Sequence, residues 1–258
     1  MPSQMLREFA ALNVFHFLLI FARLGTVVMF MPAISSTMIP PRTRLLLALL
    51  LAFIITPLVT ATMPDRPKEP LALAFMFATE ITVGLYLGML MQMLMSAIDL
   101  AGNFMGYSMG ITNALISDPT TEQQSQLISG FLNLASATLM LLTNTHHLIL
   151  RAIVDSYTLF TPGAPLPMGD FSSQLVTTLG ASFMLGLKLA APLFIFSLVF
   201  NVGLGLLNRL VPQMQVFFVG MPMQILGGLA ILSLSMAAIL YGYIQYFGHA
   251  VDAYLAPG

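Results

Sequence analysis

Residues 71–98, LALAFMFATEITVGLYLGMLMQMLMSAI, form an apolar stretch whose single charged side chain is that of Glu80. An α-helix rises about 1.5 Å per residue, so roughly 20 apolar residues cross the hydrocarbon core of a bilayer, which is about 30 Å thick. The stretch is longer than this minimum. It therefore predicts a helix that can span a membrane.

Five further stretches of the same kind make up most of the remaining chain, and charged residues or Pro-rich turns separate them. They cover residues 9–31, 45–63, 127–150, 172–207 and 214–248. The last two are much longer than one span requires, which predicts steep tilt, protruding ends or an internal break. The predicted fold class is all-α, with six long apolar segments arranged as membrane-protein-like helical hairpins. We expect the N-terminal stretch to be retained, because it is too long for a secretory signal.

The composition indicates that lipid or other apolar protein surrounds most of the chain. Only 7% of the 258 residues are charged and 58% are hydrophobic, whereas an ordinary soluble domain is about 25% charged. The net charge of −1 and the lack of a basic block exclude a nucleic-acid-binding protein. Cysteine is absent, which excludes disulfides, thiolate metal sites and cysteine nucleophiles.

The positive-inside rule gives no membrane orientation. In a six-span arrangement, one side of the membrane receives three basic residues and the other side receives four. The first set is Arg42, Arg44 and Arg209, and the second is Arg7, Arg66, Lys68 and Arg151. Independently inserted spans normally show a clear bias. The tie therefore indicates that partner proteins help to hold these helices.

Residues 106–110, GYSMG, match the G-x-S-x-G nucleophile elbow of α/β-hydrolases, and Asp118 and His146 follow in hydrolase order. That elbow requires a strand before the serine and a helix after it. Residues 84–105 show no strand alternation. The hydrolase interpretation is therefore disfavoured, and the chain is not predicted to be an enzyme.

The same glycines fit a helix-packing interpretation, which we favour. Gly102, Gly106 and Gly110 recur every four residues, a spacing that permits close approach between helix backbones. Gly84 and Gly88 repeat the spacing one segment earlier. Residues 80–110 are therefore predicted to present a long smooth stripe to neighbouring helices.

Two further motif matches fail on spacing or context. Gly203-Leu204-Gly205 begins like a dinucleotide fingerprint, but Asn208 occupies the third glycine position. His146 and His147 with Asp155 resemble a metal cluster. Adjacent histidines are expected on different helix faces, however, and no third ligand has usable spacing. We predict no catalytic residue, no metal and no cofactor.

Ionisable residues in or beside the apolar stretches are costly unless they are paired or face water. They are Arg23, Glu80, Asp99 and Lys188. They form either a proton or ion path or buried partners between neighbouring helices or subunits. We favour buried partners, because no acidic motif is repeated.

The densest methionine tract also leaves two interpretations open. It comprises Met89, Met91, Met93 and Met95, followed by Met105 and Met109. Thioether side chains are adaptable core packing, and they could equally form a deformable seal around a conduit. Composition alone does not separate these alternatives.

The connection from Gly102 to Gln126, GNFMGYSMGITNALISDPTTEQQSQ, is the longest in the chain and is polar in its second half. Loops of this length without secondary structure are usually functional or disordered. Irregular backbone at membrane depth survives only where it is buried in protein or lines a cavity. This connection is therefore the main candidate for a functional segment.

Several segments together resemble the FliR family of flagellar export-gate proteins, whose relatives in virulence type III secretion form the SctT group. The resemblance covers almost the whole chain. In the first part it rests on Arg23, Gly25, Pro32, Pro40, Arg42, Glu80, Gly84, Gly88, Gly102, Gly106, Gly110, Asp118, Pro119, Ser156, Tyr157 and Pro162. Its most specific stretch contains Pro192, Arg209, Pro212, Gln213, Met214, Phe217 and Pro222.

The resemblance implies tilted helices packed in a helical hetero-oligomeric gate. Residues 1–165 would be a FliP-like part, residues 166–258 a FliQ-like long hairpin, and one copy would close a ring of FliP-like and FliQ-like subunits. FlhA-like and FlhB-like export components are further expected partners, with membrane lipid around the assembly.

In that family the ring conducts unfolded export substrates across the bacterial inner membrane at the flagellar basal body. The resemblance assigns a channel plug to the loop at about 106–126. The plug residues would be Gly106, Gly110, Asn113, Ser117, Asp118 and Pro119.

Two other classes of protein remain open at this stage. A secondary transporter would use Pro57, Pro192 and Pro222 to break helices around a midplane site built on Glu80 or Lys188. The two halves of the sequence show no convincing internal symmetry, which disfavours the inverted repeats of such transporters. A purely structural membrane scaffold fits the composition equally well, but it leaves the Gly-rich polar loop unexplained.

Overall fold

The computed structural model describes residues 2–32, 34, 39–111, 127–211 and 216–255. The described residues form seven α-helices and a short 3-10 turn at Thr60–Thr62, and no strand occurs among them. The helices are α1 (Pro2–Phe30), α2 (Pro41–Val59), α3 (Pro70–Ser108), α4 (Leu127–Leu142), α5 (Thr145–Leu159), α6 (Met168–Leu210) and α7 (Val216–Leu255). The predicted all-α fold class is confirmed.

Helix length and composition agree with a membrane protein that has several spans. Within the described residues, α1, α2, α3, α6 and α7 are each long and apolar enough to cross a membrane. Helices α4 and α5 form a sixth candidate span, bent by 74° where they meet. The bend lies at Asn144, whose φ of 59° is left-handed and tolerated by asparagine better than by most residues. The sequence predicted one unbroken stretch there.

Helix α3 extends beyond the apolar stretch that predicts it. It continues to Ser108 and is 39 residues long. Gly106, which was assigned to the loop, therefore lies in the last turns of α3. A helical glycine costs only about 1 kcal/mol relative to alanine, so glycine at this position is compatible with a helix.

The chain divides into two compact units, and each is interrupted in sequence. The first unit comprises Met1–Leu94, Thr143–Thr178 and Gly248–Gly258. It contains α1, α2, α5 and most of α3, and its core is mainly apolar. The fully buried apolar side chains include those of Leu19, Ile20, Leu24, Leu87, Leu90 and Met91.

The second unit comprises Met95–Leu142 and Leu179–Phe247. Within it, α6 and α7 pack against each other in an antiparallel arrangement. A Cβ atom at Gly227 would lie 2.6 Å from Cζ of Phe196, and one at Gly220 would lie 2.7 Å from Cδ2 of Leu204. These two helices are the longest in the described chain, at 43 and 40 residues.

Large apolar side chains cover the outer surfaces of α6 and α7. They include Leu198, Val199, Leu206 and Leu234, and the last of these is 86% exposed. Isolated exposed apolar residues are normal in soluble proteins, but continuous apolar surfaces indicate a membrane or a protein interface. The hairpin therefore requires apolar surroundings of lipid or partner helices.

Candidate functional site

The core of the first unit contains a fully buried ion pair between α1 and α3. Arg23 is 0% exposed and Glu80 is 1% exposed. The Nε and Nη2 atoms of Arg23 donate to the two carboxylate oxygens of Glu80 at 2.7 and 2.9 Å. This fork-to-fork geometry is the strongest arrangement that a guanidinium and a carboxylate can adopt.

The remaining donors of Arg23 bind the C-terminal end of α5. Nη1 donates to the carbonyl oxygen and to the hydroxyl of Ser156 at 3.0 and 3.1 Å, and Nη2 donates to the carbonyl oxygen of Phe160 at 2.7 Å. The guanidinium carbon also lies 4.0 Å from the ring centroid of Tyr157. A helix C-terminus carries partial negative charge. The cation is thereby satisfied from every side and joins α1, α3 and α5.

Two glycines of α3 allow this close packing against α1. A Cβ atom at Gly84 would lie 2.5 Å from the carbonyl oxygen of Arg23 and would also collide with Thr26. One turn later, a Cβ atom at Gly88 would lie 2.8 Å from that of Phe30. Any side chain at Gly84 would therefore push α1 away and separate the two halves of the ion pair.

An aromatic cluster connects the same region to the start of α6. The rings of Tyr86 and Phe171 stack at a centroid distance of 3.9 Å. The Phe160 ring meets both edge-on, at 6.0 and 5.1 Å. The carbonyl of Phe160 is also the acceptor for Arg23. The ion pair thus positions the residue that anchors the first turn of α6.

The second unit holds the end of α3, the helix that leads into residues 112–126. Gly110 has a φ of +74°, a conformation that favours glycine and ends helices. The side-chain amide of Gln224 on α7 donates to the carbonyl oxygen of Ser108 at 2.8 Å. A Cβ atom at Gly228 would lie 2.6 Å from Cγ of Met109. Two positions of α7 therefore hold the end of α3.

The start of α4, where the chain returns from that segment, is also held against α3. Gly102 faces the backbone of Ser129, and a Cβ atom there would meet the Ser129 Cα and lie 2.8 Å from its nitrogen. The Asn133 amide donates to the carboxylate of Asp99. The 112–126 segment is thus flanked by two helix ends that contact each other.

The predicted ionisable site residues differ in burial and in their contacts. It pairs Arg23 with Glu80 and places Asp99, half-buried, beside Asn133. Lys188 is exposed on the described chain rather than buried, because the opposite face of α6 packs on α3: a Cβ atom at Gly186 would lie 2.9 Å from the Ala97 carbonyl oxygen.

Other predicted residues lie on helices or outside the described chain. Pro192 lies inside α6, and Arg209 lies in its last turn, where a cation complements the helix dipole. Phe217 lies in the first turn of α7. The residues outside the described ranges are Asn113, Ser117, Asp118, Pro119, Pro212, Gln213 and Met214.

The methionines of the predicted tract divide between core and surface. Met91, Met95, Met105 and Met109 are buried. Met89 is 41% exposed. Within the chain, most of the tract is therefore adaptable core packing, as thioether side chains commonly are.

The described residues do not have the geometry that a nucleophile elbow or a metal site requires. Ser108 is the last residue of α3, and no strand precedes it in the described chain. The centroids of the His146 and His147 rings lie 4.2 Å apart. Among the described residues, no group of three His, Cys, Asp or Glu could hold a metal ion.

Four contact residues were not singled out from sequence: Ser129, Asn133, Gln224 and Gly228. The sequence does offer a signal for Gln224: its amide side chain lies in an otherwise apolar helix, and a polar side chain at membrane depth needs a hydrogen-bond partner. Ser129 and Gly228 are small residues in apolar helices, as are many others here. Their contacts depend on tertiary packing.

The spans, the buried ion pair and the exposed apolar helices define a helical membrane protein with several spans. Residues 14–250 match the family described as Bacterial export proteins, family 1. The chain therefore belongs to this family of bacterial export proteins, and the resemblance to FliR is confirmed.

Individual relatives match most of the chain. Flagellar biosynthetic protein FliR of Caulobacter vibrioides is 36% identical over 244 residues, which is 95% of this chain and 97% of that protein. Its counterpart in Escherichia coli K12 is 31% identical over 210 residues, 81% of this chain and 79% of that protein. The surface presentation of antigens protein SpaR of Shigella flexneri is 28% identical over 244 residues, 93% of each.

Proposed function

We propose that this chain is a core subunit of the flagellar type III protein export gate in the bacterial inner membrane, at the flagellar basal body. It completes a ring of FliP-like and FliQ-like subunits and contributes a plug, at about residues 106–126, to the channel for unfolded export substrates. FlhA-like and FlhB-like components are its further partners. Its role is structural rather than enzymatic, and it needs no cofactor.

The observation that carries the plug proposal is the way the two ends of the 112–126 segment are held. Gln224 bonds the end of α3, and Gly102 admits the Ser129 backbone at the start of α4. A segment that blocks a channel needs fixed ends, because otherwise it would not stay across the lumen. Membership of an export family supplies the functional context.

The apolar outer surfaces of α6 and α7 support the ring proposal. Partner helices would cover these surfaces, and the tie in basic residues agrees with spans that partners hold in place. The antiparallel α6–α7 hairpin supports the assignment of residues 166–258 to a FliQ-like part. Residues 1–165 remain the proposed FliP-like part.

Deleting residues 110–118 is expected to raise ion leak across the cell membrane at least several-fold, because the closed channel would lose its block. The leak is measured with a potential-sensitive dye in cells that are not exporting. Co-purification with the other gate subunits shows whether the variant assembles. An unchanged leak with normal assembly would contradict the plug. Stable purification alone, together with ion-coupled uptake in vesicles, would instead indicate a transporter.

A further inference from the structure

We propose that Gln224 and Gly228 form a latch that holds the end of α3 and thereby sets where the plug segment begins. The inference rests on the proposed function of that segment. Both residues belong to α7 and lie one helical turn apart, so they share one face of the helix. Their contacts are with two consecutive residues, Ser108 and Met109.

The Gln224 amide supplies a hydrogen bond that α3 cannot make for itself. The last four carbonyls of a helix have no partner within it unless a turn or a side chain provides one. Here the amide of Met109 donates to the Met105 carbonyl, and the amide of Gly110 donates to the Tyr107 carbonyl. Gln224 donates to the carbonyl of Ser108. This bond therefore ties the last residue of α3 to α7.

Gly228 adds a steric contact to this hydrogen bond. The absence of a side chain at Gly228 leaves room for the Met109 side chain. Rotation or sliding of α7 would break both contacts together, because both arise from the same helix face. The latch therefore couples the position of α7 to the release of the segment that follows Gly110.

A reversible disulfide tests whether the latch must open during export. A Cβ atom at Gly228 would lie 3.1 Å from that of Met109, so a small shift reaches the separation of about 3.5–4.5 Å found in disulfides. The chain has no cysteine of its own. In cells carrying Met109→Cys with Gly228→Cys, oxidation is expected to reduce substrate export at least tenfold without raising leak, and reductant is expected to restore export.

A second pair provides the control for crosslinking itself. Leu100→Cys with Gly186→Cys joins α3 to α6 in the second unit, where a Gly186 Cβ atom would lie 3.1 Å from that of Leu100, the same separation as in the Met109–Gly228 pair. Its oxidation is expected to leave export unchanged. The latch is overturned if the Met109–Gly228 pair crosslinks, as seen by gel mobility, while export continues. It is also overturned if both pairs stop export equally.

A variant that weakens the latch tests whether its loss opens the resting channel. Gln224→Leu removes the amide donor and is expected to raise the resting ion leak several-fold. Gln245→Leu is the matched control, since the Gln245 amide donates along α7 itself, to the Tyr241 hydroxyl at 3.3 Å. Co-purification with partner subunits again reports assembly.

The deletion of residues 110–118, measured in parallel, separates failure of the latch from failure of the plug. If the deletion leaks and an assembled Gln224→Leu variant does not, the latch is wrong and the plug stands. If neither leaks despite normal assembly, the plug is wrong and the latch is overturned with it.

Discussion

Arg23→Leu is expected to lower the free energy of unfolding by about 3–5 kcal/mol, because it leaves the carboxylate of Glu80 buried without its cation. Glu80 is only 1% exposed, so water cannot replace the guanidinium. The substitution also removes the donors to the carbonyls of Ser156 and Phe160 at the end of α5. Thermal denaturation of the purified protein in detergent measures the loss.

Two further variants test whether the loss of stability comes from burial of an unpaired charge. Arg151→Leu makes the same change in an exposed pair, 3.7 Å from Asp155 on the same helix, where only about 0.3–0.5 kcal/mol is expected. Removing both charges, with Arg23→Leu and Glu80→Leu together, should recover part of the stability. A double variant no more stable than Arg23→Leu alone would show that the lost α5 contacts, rather than the orphaned carboxylate, dominate.

The sequence predicts the buried charges as a class but not their pairing. The cost of a charge at membrane depth singles out Arg23 and Glu80, together with Asp99 and Lys188. The first two are separated by 57 positions, and no local pattern connects them. Pairing depends on how α1 and α3 cross, which the Gly84 contact sets. Lys188 is exposed because α6 turns its Gly186 face toward α3.

The helices themselves follow from apolar length, since a bilayer requires about 20 residues per span. Their ends and bends are less predictable. The 74° bend at Asn144 needs only one residue in a left-handed conformation, and no proline marks it. The end of α3 at Ser108 is fixed partly by Gln224, which lies 116 positions away in sequence. Such long-range contacts leave no periodic pattern.

Gly102→Val is expected to destabilise the α3–α4 pair by about 1–3 kcal/mol or more, the usual cost of overpacking. A Cβ atom at Gly102 would meet the Cα of Ser129 and lie 2.7 Å from its Cβ atom. Backbone atoms cannot rotate aside as a flexible side chain can. Separation of the helices would also break the contact between Asp99 and Asn133. The expected readouts are a lower denaturation temperature and less protein co-purifying with gate subunits.

Gly130→Val provides the matched control, because Gly130 follows Ser129 on α4 and a Cβ atom there would meet nothing within 4 Å. Valine and glycine differ in helix propensity by only a few tenths of a kcal/mol, so stability is expected to stay nearly constant or rise slightly. An equal loss at both positions would assign the effect to valine within an apolar helix. A loss confined to Gly102 would assign it to the contact that brings the two ends of the 112–126 segment together.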